Sequence, residues 1–423
     1  MSIALLSLAA LLFVIIISCV IQRLNPGLLS LLATLIIGTY VAKLPLNDLI
    51  KTFPIYLFLL LISMGIIFGV AQSNKSMHVL TFKAINLIRG RTLLLPILFF
   101  LLAFGISAAG PGNIASVALL APLALPLAKQ YKVSSLITTI MICTGANAGA
   151  FSPFSPTGIV AIGLMHKISI DEQLIWVVFI AAALLQSVSA LVAYSFFLLR
   201  SKRRGFKETE NENTTNNNAK LDKRQKMTLG FIALLIILVT VFKVQLLIAS
   251  VSIAVLMFIF DLADEEKVLK KLPWSTILMV TGIAILIGLL EKTGGLDIAT
   301  TFIATNTNPK MVNGVLATVT GVVSAYSSSS GVVMPAFIPL IPKLAMQMGI
   351  INMVPMVIAV AVGSHMVDVS PLSTLGALCI AAIDSKTERT RVFRLVMMWG
   401  LAMSLVGGLL AYLFLDIGYN LIF

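Results

Sequence analysis

The chain has 423 residues, of which 59% are apolar and only 11% charged, with a mean hydropathy of +1.03. This composition excludes a soluble enzyme and describes an integral membrane protein. The net charge of +13 does not indicate nucleic-acid binding, because the basic residues sit in short loops between apolar runs, as membrane topology requires.

Apolar runs suited to spanning a bilayer lie at 3–20, 27–41, 53–70, 133–165 and 174–199. A second set follows at 229–242, 244–260, 274–290, 351–383 and 392–415. The first run lacks a basic leader and a small-residue cleavage site, so it reads as a retained span. The two runs flanking Lys243 are short for a hydrocarbon core about 30 Å thick. Cys19, Cys143 and Cys379 are scattered through apolar runs, with neither metal-ligand nor disulfide-framework spacing.

Two further apolar pairs have small, polar centres. Thr92–Ala108 leads through Gly110-Pro111-Gly112-Asn113 to 114–128, and 312–325 leads through Ser327-Ser328-Ser329-Ser330-Gly331 to 332–344. Each pair is either two spans or a hairpin that enters the membrane and returns. Amphipathic segments at 77–88 and 296–304 precede them, and read as interfacial helices or as ordinary loop helices. Residues 207–226, with the run NENTTNNN, read as a disordered cytoplasmic linker.

One stretch occurs twice. GANAGAFSPFSPTG at 145–158 and GSHMVDVSPLSTLG at 363–376 lie 218 positions apart and share Gly145/Gly363, Ser152/Ser370, Pro153/Pro371, Ser155/Ser373 and Gly158/Gly376. Proline in mid-membrane removes a backbone donor, so each stretch reads as a broken helix. Such breaks persist only where protein or a watery cavity covers the freed backbone, and their recurrence in two half-chains points to a secondary transporter's binding site.

Charge selects between the readings of the apolar pairs. With both as hairpins, each half crosses five times, and placing the N-terminus outside puts 23 of the 30 Lys and Arg on the cytoplasmic side. The expected fold is therefore an all-α membrane protein of about ten transmembrane helices, arranged as two inverted repeats of five. Residues 1–199 form the first repeat (hairpin 91–130, broken helix 133–165). Residues 200–227 form the cytoplasmic linker, and 228–423 the second repeat (hairpin 310–347, broken helix 351–383). Both termini then lie outside a cell (inner) membrane.

In this arrangement four helix N-termini converge, after Asn113, Ser328, Thr157 and Thr374. Their unpaired N–H groups and partial positive charge suit an anion. Asn113, Ser152, Ser155, Thr157, Ser328, Ser329, Ser370, Ser373 and Thr374 add amide and hydroxyl groups for carboxylate oxygens. Without Lys or Arg in the tips or breaks, a small dicarboxylate fits better than a large phosphate ester. The carbonyls near Ala150 and Val369, with Asn113, Asn147 and Ser327, suit a coupling sodium ion, and no other metal is expected.

Asp368 is the one carboxylate deep in a predicted span, which makes it a functional candidate. Paired with His365 on an intact helical turn it could carry a coupling proton; alternatively it caps the second half of its broken helix. The serines and glycines also permit simple close packing.

The motifs GPGNIASVALLAPLALPLA, GANAGAFSPFSPTG and VDVSPLSTLGAL resemble the MatC-type dicarboxylate (malonate) carriers, within the ion transporter superfamily that includes the divalent anion/sodium symporters. The resemblance implies a homodimer in which a transport domain of hairpins and broken helices moves against a scaffold as an elevator. The symporters carry a Ser-Asn-Thr triplet at each tip, which this chain lacks, so sodium stoichiometry does not carry over and proton coupling stays open. The expected function is cation-coupled symport of malonate or a C4-dicarboxylate. A cation/proton antiporter or an inorganic oxyanion transporter of the same superfamily is the alternative. No enzymatic activity and no cofactor beyond sodium or a proton is expected, since no P-loop, metal-binding or nucleophile-base spacing occurs.

Overall fold

The structure is a computed structural model describing residues 2–20, 24–76, 79, 92–131, 133–203, 221–272, 274–325, 328–383 and 385–418. Most of the segment 77–88, the linker residues 204–220 and Ser327 lie outside the described residues. Among those described there is no strand.

Apolar sequence without interior breakers makes the long elements helical, and prolines and glycines set their ends. The first half contains α1 (Ile3–Val20), α2 (Pro26–Leu35, continuing as a π-helix over Ile36–Val41), α3 (Leu46–Ile50) and α4 (Ile55–Ser73). It continues with α5 (Leu95–Ala108), α6 (Gly112–Gln130), α7 (Ser135–Gly149), α8 (Pro156–Lys167) and α9 (Ile175–Arg203). The second half contains α10 (Lys223–Thr240), α11 (Leu246–Ile259), α12 (Glu265–Lys270), α13 (Trp274–Thr293) and α14 (Gly295–Asn306). It ends with α15 (Val312–Ser324), α16 (Ser329–Met348), α17 (Val354–Met366), α18 (Thr374–Ala381) and α19 (Lys386–Ala411). The helices bounding the linker run further than the sequence suggests, to Arg203 on one side and from Lys223 on the other.

Among the described residues six helices are long and apolar enough to cross a membrane: 55–73, 112–130, 172–198, 274–293, 329–348 and 386–416. They fall three to a half, at corresponding places. The order of elements in the first half recurs in the second, and its packing is reciprocal. The α2–α13 contact is matched by α4–α11, α5–α7 by α15–α17, and α6–α18 by α8–α16. Local geometry repeats too, since Lys43 and Asp261, 218 positions apart, both turn with positive φ (52° and 50°).

Glycine sets how closely the helices approach. A Cβ on Gly27 would lie 1.9 Å from the Leu278 carbonyl oxygen, and one on Gly282 would lie 2.2 Å from that of Gly27, so α2 and α13 touch backbone to backbone. Where α4 meets α11, the hydroxyls of Ser63 and Ser250 lie 2.8 Å apart. The core runs through α4, α8, α11 and α17, with a second cluster over α5, α6, α7 and α18. The outer helices α1, α9 and α19 expose large apolar side chains such as Phe13, Leu184, Phe196 and Leu405, as surfaces facing lipid tails do.

Candidate functional site

Both broken helices are real breaks, and their serines hold them. α7 ends at Gly149 and α8 starts at Pro156, with Ser155 as its N-cap accepting from the Gly158 N–H at 3.2 Å. The Ser155 hydroxyl donates to the carbonyls of Ala150 and of Ser152 (2.9 Å). Between α17 and α18 the Ser373 hydroxyl does the same, donating to the carbonyls of Asp368 and of Ser370 (2.8 Å). Ser152 and Ser370 tie each break to the hairpin beside it. The Ser152 hydroxyl donates to Ala108 O at 2.7 Å, and the Ser370 hydroxyl to Ala325 O at 3.3 Å.

These protons are therefore engaged with backbone carbonyls, and in this geometry the four serines do not donate to a carboxylate. The Ala150 carbonyl, expected to face a cation, also accepts the Gly158 N–H at 3.0 Å. Val369 is buried in the fold's second core cluster.

The first hairpin tip needs glycine. Gly110 (φ +131°) and Gly112 (φ +81°) flank Pro111 in a conformation that L side chains rarely adopt. A Cβ on Gly110 would lie 1.4 Å from the Phe68 ring of α4, and one on Gly112 would lie 2.7 Å from Pro156 Cδ. The tip is thus wedged between α4 and the start of α8, which brings the N-termini of α6 and α8 side by side. At the second tip the Ser328 hydroxyl accepts from the Gly331 N–H at 3.1 Å and caps α16, whose first turn is a π-helix.

A cavity of about 500 Å³ opens where these parts meet, within the roughly 300–1,000 Å³ of small-molecule sites. Asn113 and Thr157 line it, as does Ser330 of the second tip. Phe68, Leu119 and Leu123 supply apolar wall, and Gln72, Lys271 and Thr276 also line it. Among the described residues the Thr157 hydroxyl has no hydrogen-bond partner, although the residue is only 3% exposed. Thr374, its counterpart, is exposed and does not line the cavity, so three of the four expected helix starts meet there.

A buried chain of amides runs from the first tip into both breaks. Asn113 Nδ2 donates to Asn147 Oδ1 at 2.9 Å, and Asn147 Nδ2 donates to His365 O at 2.9 Å. Gln186 Nε2, from the middle of α9, donates to the same carbonyl at 3.1 Å. Gln186 was absent from the sequence reading, yet a polar amide within an otherwise apolar span was the signal for it.

Asp368 is buried and faces the second hairpin. Its Oδ1 accepts from Ser329 Oγ at 2.5 Å and from Ser324 Oγ at 3.4 Å. Ser329 Oγ also lies 3.2 Å from Ser364 O. The expected pairing with His365 does not form. α17 ends at Met366, so the turn that would align the two residues is broken, and His365 Nδ1 meets Ala361 O at 2.9 Å instead. Nor is Asp368 the cap of α18, a place that Ser373 holds.

The described residues form a helical membrane protein with a cavity where three helix starts meet. Residues 1–150, about a third of the chain, match the family described as dicarboxylate carrier protein MatC N-terminus. None of the curated proteins compared with the chain matches it.

Proposed function

We propose that the chain is a cation-coupled secondary carrier of small dicarboxylates, malonate or a C4 acid. The observation that carries this reading is the cavity itself, where the starts of α6 and α8 meet beside Asn113, Thr157 and Ser330. Free N–H groups at those helix starts, the Asn113 amide and the Thr157 hydroxyl receive one carboxylate. Asp368, with Ser324 and Ser329, is the coupling site for sodium or a proton. A carboxylate buried without a cationic partner costs several kcal/mol and is retained where it binds or moves an ion.

The recurring element order and reciprocal packing support two repeats of opposite orientation, each with a re-entrant hairpin. Lys and Arg asymmetry then puts the linker in the cytoplasm and both termini outside. The breaks and hairpins move together as an elevator within a homodimer, as the resemblance implies. The buried Asp368 also suits a cation/proton antiporter, so the decisive assay must see the organic substrate. Uptake of radiolabelled malonate and succinate into proteoliposomes, under separate sodium and proton gradients, tests the proposal. Gradient-driven uptake is the expected result. Its absence, with sodium-induced change of internal pH, would replace the carrier by the antiporter.

A further inference from the structure

We infer that Lys271 recognises the second carboxylate of the substrate and so sets the preference for dicarboxylates over monocarboxylates. This rests on the carrier reading above and deepens it. Of the described residues lining the cavity, Lys271 is the one that carries an ionisable group. It sits at the joint between α12 and α13, outside the hairpin tips and breaks whose lack of Lys and Arg the sequence makes plain.

Its neighbours are engaged elsewhere. Lys267 pairs with Asp264 at 3.8 Å and Lys270 with Glu266 at 2.6 Å. Lys271 has no acidic partner among the described residues, and its side chain is exposed at the mouth that Gln72 and Thr276 also line. Of three lysines within five positions, the unpaired one is the one that reaches the cavity.

The rest of the lining is built differently. The helix starts at Gly112 and Pro156, with Asn113 and Thr157, present dipoles and neutral donors suited to one carboxylate. Phe68, Leu119 and Leu123 in the same lining suit a short methylene chain. A dicarboxylate in the cavity thus finds a partner for each carboxylate, whereas a monocarboxylate leaves Lys271 without one. An ammonium on a flexible stem tolerates either a C3 or a C4 spacing, because it recognises charge rather than a fixed fork geometry.

The test uses the full chain in proteoliposomes, comparing wild type, Lys271→Gln, Lys271→Arg and Lys270→Gln. Initial rates are measured for malonate and succinate, with propionate as competitor. Lys271→Gln should raise the KM for both dicarboxylates about tenfold with little change in Vmax, the scale of a hydrogen bond to a charged group. Its discrimination against propionate should fall by the same factor. Lys271→Arg should stay within about threefold of wild type, and Lys270→Gln should match it, since charge at the mouth, not charge on α12, is what matters. A Lys271→Gln protein with wild-type unfolding temperature, wild-type KM and unchanged discrimination overturns the inference while leaving the carrier reading intact. Wild type that takes up no dicarboxylate under either gradient removes the carrier reading, and the inference falls with it.

Discussion

Replacing Ser329 by alanine removes the nearer of the two donors to Asp368, and the response identifies the coupling ion. Ser329 Oγ lies 2.5 Å from Asp368 Oδ1, against 3.4 Å for Ser324 Oγ. A hydrogen bond to a charged group contributes about 1.5–3 kcal/mol. At about 2 kcal/mol, the loss corresponds to roughly a 30-fold change in half-saturating ion concentration. The sign depends on the ion. Sodium coordinated by the Ser329 oxygen loses a ligand, so its half-saturating concentration rises. A proton competes with the Ser329 hydroxyl for the carboxylate, so without that hydroxyl the half-saturating proton concentration falls. Ser324→Ala should act in the same direction but by about threefold or less, because hydrogen bonds weaken with length. Uptake rates in proteoliposomes, with sodium varied at fixed pH and pH varied without sodium, read both. Half-saturation within threefold of wild type for both ions, in a Ser329→Ala protein that remains folded, refutes the assignment of this cluster as the coupling site. Equal effects from the two serines refute the argument from distance.

Two further expectations concern the breaks themselves. Gly158→Ala places a Cβ 1.9 Å from Ser152 O, and Gly376→Ala places one 2.2 Å from Ser370 O. Backbone cannot yield there as a side chain can, so each should cost about 2–3 kcal/mol in thermal unfolding of the purified protein; stability within about 0.5 kcal/mol of wild type would contradict the tight turn. Asn147→Ala leaves the Asn113 amide without its acceptor and the His365 carbonyl with Gln186 as its one side-chain donor. It should cost about 1–3 kcal/mol of stability and slow uptake, while Gln186→Ala, which leaves the Asn113–Asn147 link intact, should cost less. Normal stability and uptake in both would show that the amide chain does not join the two breaks.

The helix ends at the two breaks and the turn at the first tip were legible because they are written in residue types with few alternative uses. Paired Ser-Pro with spaced glycines stops a helix, and Gly-Pro-Gly turns a chain, whatever surrounds them. The direction in which hydroxyl protons point was not legible. Ser152, Ser155, Ser370 and Ser373 look in sequence like ligand donors, but each sits within reach of a carbonyl that the break has just freed. Satisfying that carbonyl takes precedence in a buried place. The His365–Asp368 pairing presumed a continuous turn, and α17 ends between them. Lys271 escaped notice for a different reason. Its place at the cavity follows from the packing of the α12–α13 joint beside α4, a long-range contact that no local pattern encodes.

The duplicated and the unequal positions divide the work between them. Where the halves agree, the residues build the breaks: Ser152 and Ser370 anchor the hairpins, Ser155 and Ser373 close the turns, and Gly158 and Gly376 admit the carbonyls beneath them. Gly145 and Gly363 let the hairpin arms approach in the same way, with Cβ positions 2.3 Å from Phe100 O and 2.4 Å from Ala317 O. Where the halves differ, the chemistry is found. Ala150 corresponds to Asp368, Asn147 to His365, and Asn113 to Ser330, reckoned from the hairpin residues Ala108 and Ala325 that accept the equivalent serine bonds. Asn113 and Ser330 face the same cavity from the two tips, while the carboxylate occurs at one break only. On the proposed reading the two tips serve a shared substrate, and the second break, with its acid, serves the ion. Substitutions at shared positions should therefore change folding in pairs, and substitutions at unequal positions should change transport singly.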